Sequence, residues 1–172
     1  MRNLAREVGL LVLAAALGGC AYATALRQLP PEEQTLFRIY SKVMTPEQAR
    51  AYLRQPTAAA RAAYLEATGL AQRFQALDAA DREAVLAGQP RPGMSADALR
   101  FLWGEPYHTE GWTGHYEHWY YLGSTWDLLA YGSRRGFFET MVFVYLVDGR
   151  VKWWLETPPT GVDVSEDGGR RT

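Results

Sequence analysis

Hydrophobic and polar positions change their period partway along the chain. Between residues 30 and 88 apolar residues recur at helical spacing within segments rich in Ala, Leu, Arg, Glu and Gln, the strong helix formers. Pro31, Glu32 and Glu33 open a segment in which Leu36, Phe37, Ile39, Tyr40 and Val43 form one apolar face. In "TPEQARAYLRQ", Thr45 is the cap, Pro46 the first helical residue and Gln48 the partner that completes a capping box. Thr57 caps "AAARAAYLEATGLAQRFQAL", which Gly69 weakens in its middle. Asp78 caps "AADREAVLAG", and Gly88 stands where a helix commonly ends. The pattern predicts three or four short amphipathic helices. Its heptads are too broken for a coiled coil, and no internal repeat is visible.

"GQPRPG", residues 88–93, reads as a boundary. After it, "MSADALRFLWGEP" is a helix capped by Ser95, with Met94, Leu99 and Leu102 inward and Gly104 and Pro106 as its stop. From Tyr116 the period becomes two. "YEHWYYL", "FFETMVFVYLV" and "RVKWWLE" read as strands, and Asp148-Gly149 between the last two is a hairpin signal. Residues 107–115 read as a loop broken by Gly and Thr. "GSTWDLLAYGSRRG" reads as a long connection with a short extra strand at Trp126–Tyr131. The expected fold class is α+β, with short helices over 30–88 and then a small helix-on-antiparallel-sheet domain of about three strands over 93–157. The segment 158–172 lacks the apolar content to pack and is expected to be disordered.

The N-terminal residues have a different chemistry. Arg2 and Arg6 precede the uncharged run "VGLLVLAAAL", and Gly18 and Gly19 lead to Cys20, the single cysteine. A basic start, a short apolar stretch and small residues describe a secretory signal peptide over 1–19, because a bilayer span needs about 20 apolar residues. Leu17-Gly18-Gly19-Cys20 resembles the bacterial lipobox. That resemblance implies a diacylglyceryl group, with palmitate-type chains, on the Cys20 thiol and a tether over 20–29. Ala21 in place of Asp then favours the outer membrane, facing the periplasm. Removing residues 1–19 takes Arg2, Arg6 and Glu7 from 18 basic and 19 acidic residues and leaves a net charge of −2. Such a balance disfavours nucleic acid as a partner. No other cysteine is present for a disulfide, and the sequence calls for no cofactor.

Gly93-Met94-Ser95, the following helix and Gly104-Glu105-Pro106 resemble the "G-M-T … L-G-x-P" opening of the SmpA/OmlA (BamE) family. Trp119-Tyr120-Tyr121 and "VFVYLVDGRVKWW" are similar to its "W-x-Y … F-x-D-G-x-V" ending. The match spans roughly residues 93–155. It implies an outer-membrane lipoprotein in which helices pack on a three-stranded sheet, with β-barrel assembly components as the partner class. Trp103 departs from the aliphatic residue usual there, and the helical stretch 30–88 has no counterpart.

Three groups of residues are candidates for a site. His108, His115 and His118 lie near Glu105, Glu110 and Glu117, a composition able to ligate zinc. On a strand, however, His115 and His118 face opposite ways, so no metal is expected. The glutamates form no marked pair for glycoside cleavage, and no enzymatic activity is expected. The aromatics are denser: Trp103, Tyr107, Trp112, Tyr116, Trp119, Tyr120, Tyr121 and Trp126. Trp119 and Tyr121 share one strand face, and Tyr116 and Tyr120 share the other. Tyr107, Trp112, Tyr116 and Tyr120 are therefore the expected partner-binding residues, for an envelope protein ahead of a peptidoglycan glycan. Arg134-Arg135 reads as a solvated turn.

Overall fold

The structure, a computed structural model, describes residues 23–112, 115–133 and 140–157, with the side chain of Trp112 left out. The signal peptide, Cys20, Arg134-Arg135 and the segment 158–172 lie outside the described residues. The chain divides into two compact units, ending and beginning at Asp78 and Ala79.

The first unit is helical: α1 (Pro31–Tyr40), α2 (Pro46–Leu53), α3 (Ala58–Ala67) and α4 (Leu70–Gln75), preceded by a helical turn at 23–27. The expected caps at Thr45 and Thr57 form. Thr45 accepts from the Gln48 amide while the Gln48 side chain accepts from Thr45 N–H, and Thr57 accepts from Ala60 N–H. Gly69 does more than weaken a helix. Its φ of 74° ends α3 and starts α4, a conformation glycine adopts without a Cβ clash. Phe37, Ile39, Tyr40, Tyr52, Leu65 and Phe74 are buried, with Phe37 and Tyr52 ring centroids 5.5 Å apart and Tyr40 and Phe74 5.7 Å apart. Leu36, expected on the buried face, is 38% exposed at the edge of that stripe. A buried ion pair joins Glu33 to Arg61 at 2.5 Å, and Arg61 also donates to the Gln55 carbonyl.

The second unit contains α5 (Ala79–Ala87), α6 (Ala96–Trp103), β1 (His108–Trp112), β2 (Tyr116–Leu122), α7 (Thr125–Tyr131), β3 (Met141–Val147) and β4 (Arg150–Glu156). The helix α5 thus belongs with the sheet, although residues 79–87 read in the sequence as part of the helical region. Fully buried Asp81 holds it there, accepting from Arg91 Nη2 and from the Ser95 N–H that opens α6.

The sheet is antiparallel in the order β1-β2-β3-β4, so it has four strands where about three were expected. The added strand is β1, "HTEGW", expected as loop because Gly and Thr interrupt it. It exists through pairing with β2, from His108↔Tyr120 to Trp112↔Tyr116. The expected extra strand at Trp126–Tyr131 is instead α7. Ser124 accepts from Asp127 N–H while the Asp127 carboxylate accepts from Ser124, and this capping box outweighs the strand-like aromatic content.

Alternation fixes which side of the sheet is covered. Trp119 and Tyr121 on β2, Val142, Val144 and Leu146 on β3, and Val151 on β4 are all buried. The buried residues of α6, Ala98, Leu99, Phe101, Leu102 and Trp103, complete this core. Trp103 meets Tyr121 edge-on at 5.5 Å, and the Arg100 guanidinium lies 4.5 Å from the Trp119 ring. The start of α6 is tied to β4 by Gly93 N–H to the Val151 carbonyl and Val151 N–H to the Met94 carbonyl.

Candidate functional site

The uncovered side of the sheet is aromatic. Residues of the opposite parity line up across the strands by register. His108, Tyr120, Phe143 and Leu155 form one row, and Glu110, His118, Tyr145 and Trp153 the next. Tyr116, opposite Val147, begins a third. The rings touch one another: Tyr120 and Phe143 at 5.0 Å, His118 and Tyr145 at 5.2 Å, Tyr145 and Trp153 at 5.6 Å, and Tyr116 parallel to Tyr145 at 6.2 Å. Tyr116 is 48% exposed, Trp153 51% and Leu155 58%. An antiparallel sheet with one face packed on helices ordinarily carries polar residues on the other. This one carries a connected aromatic surface.

Polar groups punctuate it. The Tyr120 hydroxyl donates to Glu110 Oε2 at 2.9 Å, and His108 Nε2 lies 3.3 Å from Glu110 Oε1. Tyr120's hydrogen bond, followed by His108, holds the Glu110 carboxyl below its usual range. The same bond to Glu110 pushes the Tyr120 phenol up. The carboxylate therefore stays ionised among the rings.

Of the four expected partner-binding residues, Tyr116 and Tyr120 stand on this face. Trp112 pairs with Tyr116 through the backbone, its side chain lying outside the described residues. Tyr107 is exposed just before β1, and its N–H donates to the Tyr120 carbonyl. Trp103, Trp119 and Tyr121 are core, and exposed Trp126 sits on α7 rather than on the sheet. The residues not singled out in the sequence are Phe143, Tyr145, Trp153 and Leu155. The signal for two of them was present in "MVFVYLV", where aromatics and aliphatics alternate, but only the register assigns the aromatic parity to the open side.

The histidines separate. His108 meets Glu110, His118 meets Tyr145, and His115 lies in the β1–β2 turn with its Nδ1 2.7 Å from Asp148 Oδ1. Among the described residues no group of three His, Cys, Asp or Glu side chains could hold a metal ion. The glutamates separate too. Glu117 takes the Trp119 indole N–H on the covered face, Glu110 stands on the open face, and Glu105 pairs with Arg100. A sheet lies between Glu110 and Glu117, so they cannot flank one bond as acid and base.

No protein-family model, curated protein or solved structure matches this chain. Among the described residues no helix is long and apolar enough to cross a membrane.

Proposed function

We propose that this chain is a non-enzymatic outer-membrane lipoprotein, anchored through Cys20 and facing the periplasm, that binds an envelope protein through the open face of its sheet. The observation that carries the binding role is the connected surface of Tyr116, His118, Tyr120, Phe143, Tyr145 and Trp153. Tyrosine and tryptophan offer large contact area at small entropic cost, so a solvent-facing cluster of them favours association. The lipobox-like Leu17–Cys20 supports the anchor, and the SmpA/OmlA resemblance supports a partner in β-barrel assembly. The fourth strand and α7 depart from that family's pattern, so the binding residues are taken from this sheet and not carried over.

The test is mild cross-linking in the envelope of a tagged chain carrying Tyr116→Ala, Tyr120→Ala and Trp153→Ala together. β-barrel assembly components should be captured by the unaltered chain and lost by about tenfold or more in the variant, with its fold retained by circular dichroism. Undiminished capture by the variant would refute the assignment. A second reading, binding of a peptidoglycan glycan, is favoured by the parallel rings of Tyr116 and Tyr145, 2° between planes. Co-sedimentation with purified peptidoglycan, lost in the same variant, would select it.

A further inference from the structure

We infer that the open face recognises an extended peptide segment bearing an arginine, whose guanidinium pairs with Glu110 against the rings of Tyr120 and His108. This rests on the reading of that face as a protein-binding surface and names the chemistry of what it takes. Glu110 is the only carboxylate at the open-face positions of the four paired strands. It is also built into the aromatic cluster rather than merely near it. Tyr120 donates to one of its oxygens at 2.9 Å, His108 lies 3.3 Å from the other, and the Tyr120 ring packs on His108 at 5.5 Å and Phe143 at 5.0 Å.

A carboxylate offers about four lone-pair sites. One hydrogen bond to each oxygen leaves each a second site, which is the arrangement a forked guanidinium can bridge. Because Tyr120 and His108 are the groups that touch the carboxylate, a guanidinium bound there sits beside their rings. Arginine stacks on aromatic faces while presenting parallel donors, and an ammonium does only part of this. The hydrogen bond from Tyr120 keeps the carboxylate charged and fixed in place before a partner arrives. With the arginine at Glu110 on β1, the rest of the segment crosses Tyr145 and Trp153 along the same row.

Titrating the full chain with a blocked Gly-Ser-Arg-Ser-Gly peptide, followed by NMR of the tyrosine rings, tests this. Tyr120 and Tyr145 resonances should shift, and added salt should weaken the effect. Replacing arginine by neutral citrulline, or Glu110→Gln in the protein, should raise Kd by about tenfold. Tyr120→Phe keeps the ring but frees the carboxylate and should also weaken binding. Glu110 is exposed, so loss of folding does not confound the Gln variant. Equal binding of the citrulline peptide, or undiminished binding by Glu110→Gln, would overturn the inference. So would ring shifts caused only by an N-acetylglucosamine tetramer. Silence from every peptide would overturn it as well, while loss of partner capture in the triple alanine variant would still stand, so the two proposals fail separately.

Discussion

Two residues make the β3–β4 turn, and both have left-handed backbones: Asp148 at φ 51° and Gly149 at φ 68°. With Val147 paired to Arg150, this is the geometry of a type I′ hairpin, and it lets the Gly149 carbonyl accept from Ala96 N–H at the start of α6. A Cβ at Gly149 would meet nothing within 4 Å, so any cost of substitution there is conformational, not steric crowding. Gly149→Ala should destabilise by about 1 kcal/mol, and Gly149→Val by about 2 kcal/mol, read by urea unfolding. An unchanged midpoint for the valine variant would contradict the turn. In the helical unit, burial and then the charge of Arg38 pull the Lys42 ammonium down from near 10.5 to about 7. Between those values the unfolded chain binds the proton more tightly, so stability should rise as pH climbs from about 7 toward 10. Above pH 10 the buried phenols of Tyr40 and Tyr52, whose pKa values are raised, reverse the slope. Lys42→Met should flatten the rise between pH 7 and 10, and a persistent slope in that variant would assign it to another group.

At the scale of the strand, neighbouring residues on β2 should behave as opposites. Trp119 is 1% exposed beneath Arg100, and Tyr120 points to the open face. Trp119→Ala should cost about 3 to 5 kcal/mol through the cavity it leaves, and Tyr120→Ala about 1 kcal/mol or less. Thermal melts of the two variants check this, and equal losses would mean the sheet is covered on both sides. That parity was legible in "YEHWYYL" because a period of two needs only local sequence. The caps at Thr45, Thr57 and Ser95 were legible for the same reason, as was the Asp148-Gly149 turn. What escaped depends on pairing. The strand β1 has polar residues and Gly111, and only the β2 partner makes it extended. In α7, the Ser124–Asp127 box was available in the sequence but was outweighed by Trp126 and Tyr131. Two residues of the candidate site, Tyr116 and Tyr120, could be found from one strand. Tyr145 and Trp153 required knowing that β3 and β4 continue the same rows, which is information about register and not about any one segment.

For the whole molecule, the proposed lipid and the aromatic face do different work, and the difference can be measured. An exposed face of a few rings gives modest intrinsic affinity, because association must first overcome the lost freedom of two bodies. Holding the chain at the membrane that carries its partner raises the effective concentration without adding a contact. Cys20→Ser should therefore abolish labelling by a fatty-acid probe, leave uncleaved precursor and move the protein out of the outer-membrane fraction. Its open face would be untouched, so the arginine peptide should bind the Cys20→Ser chain as it binds the unaltered one. Partner capture in the envelope should nevertheless fall about tenfold or more. Adding Tyr116→Ala, Tyr120→Ala and Trp153→Ala should remove what remains, since the tether confers proximity and no recognition. Capture that survives Cys20→Ser in full would mean that affinity alone sustains the complex. A Cys20→Ser chain still processed and labelled would refute the anchor itself and leave the face as the only determinant of binding.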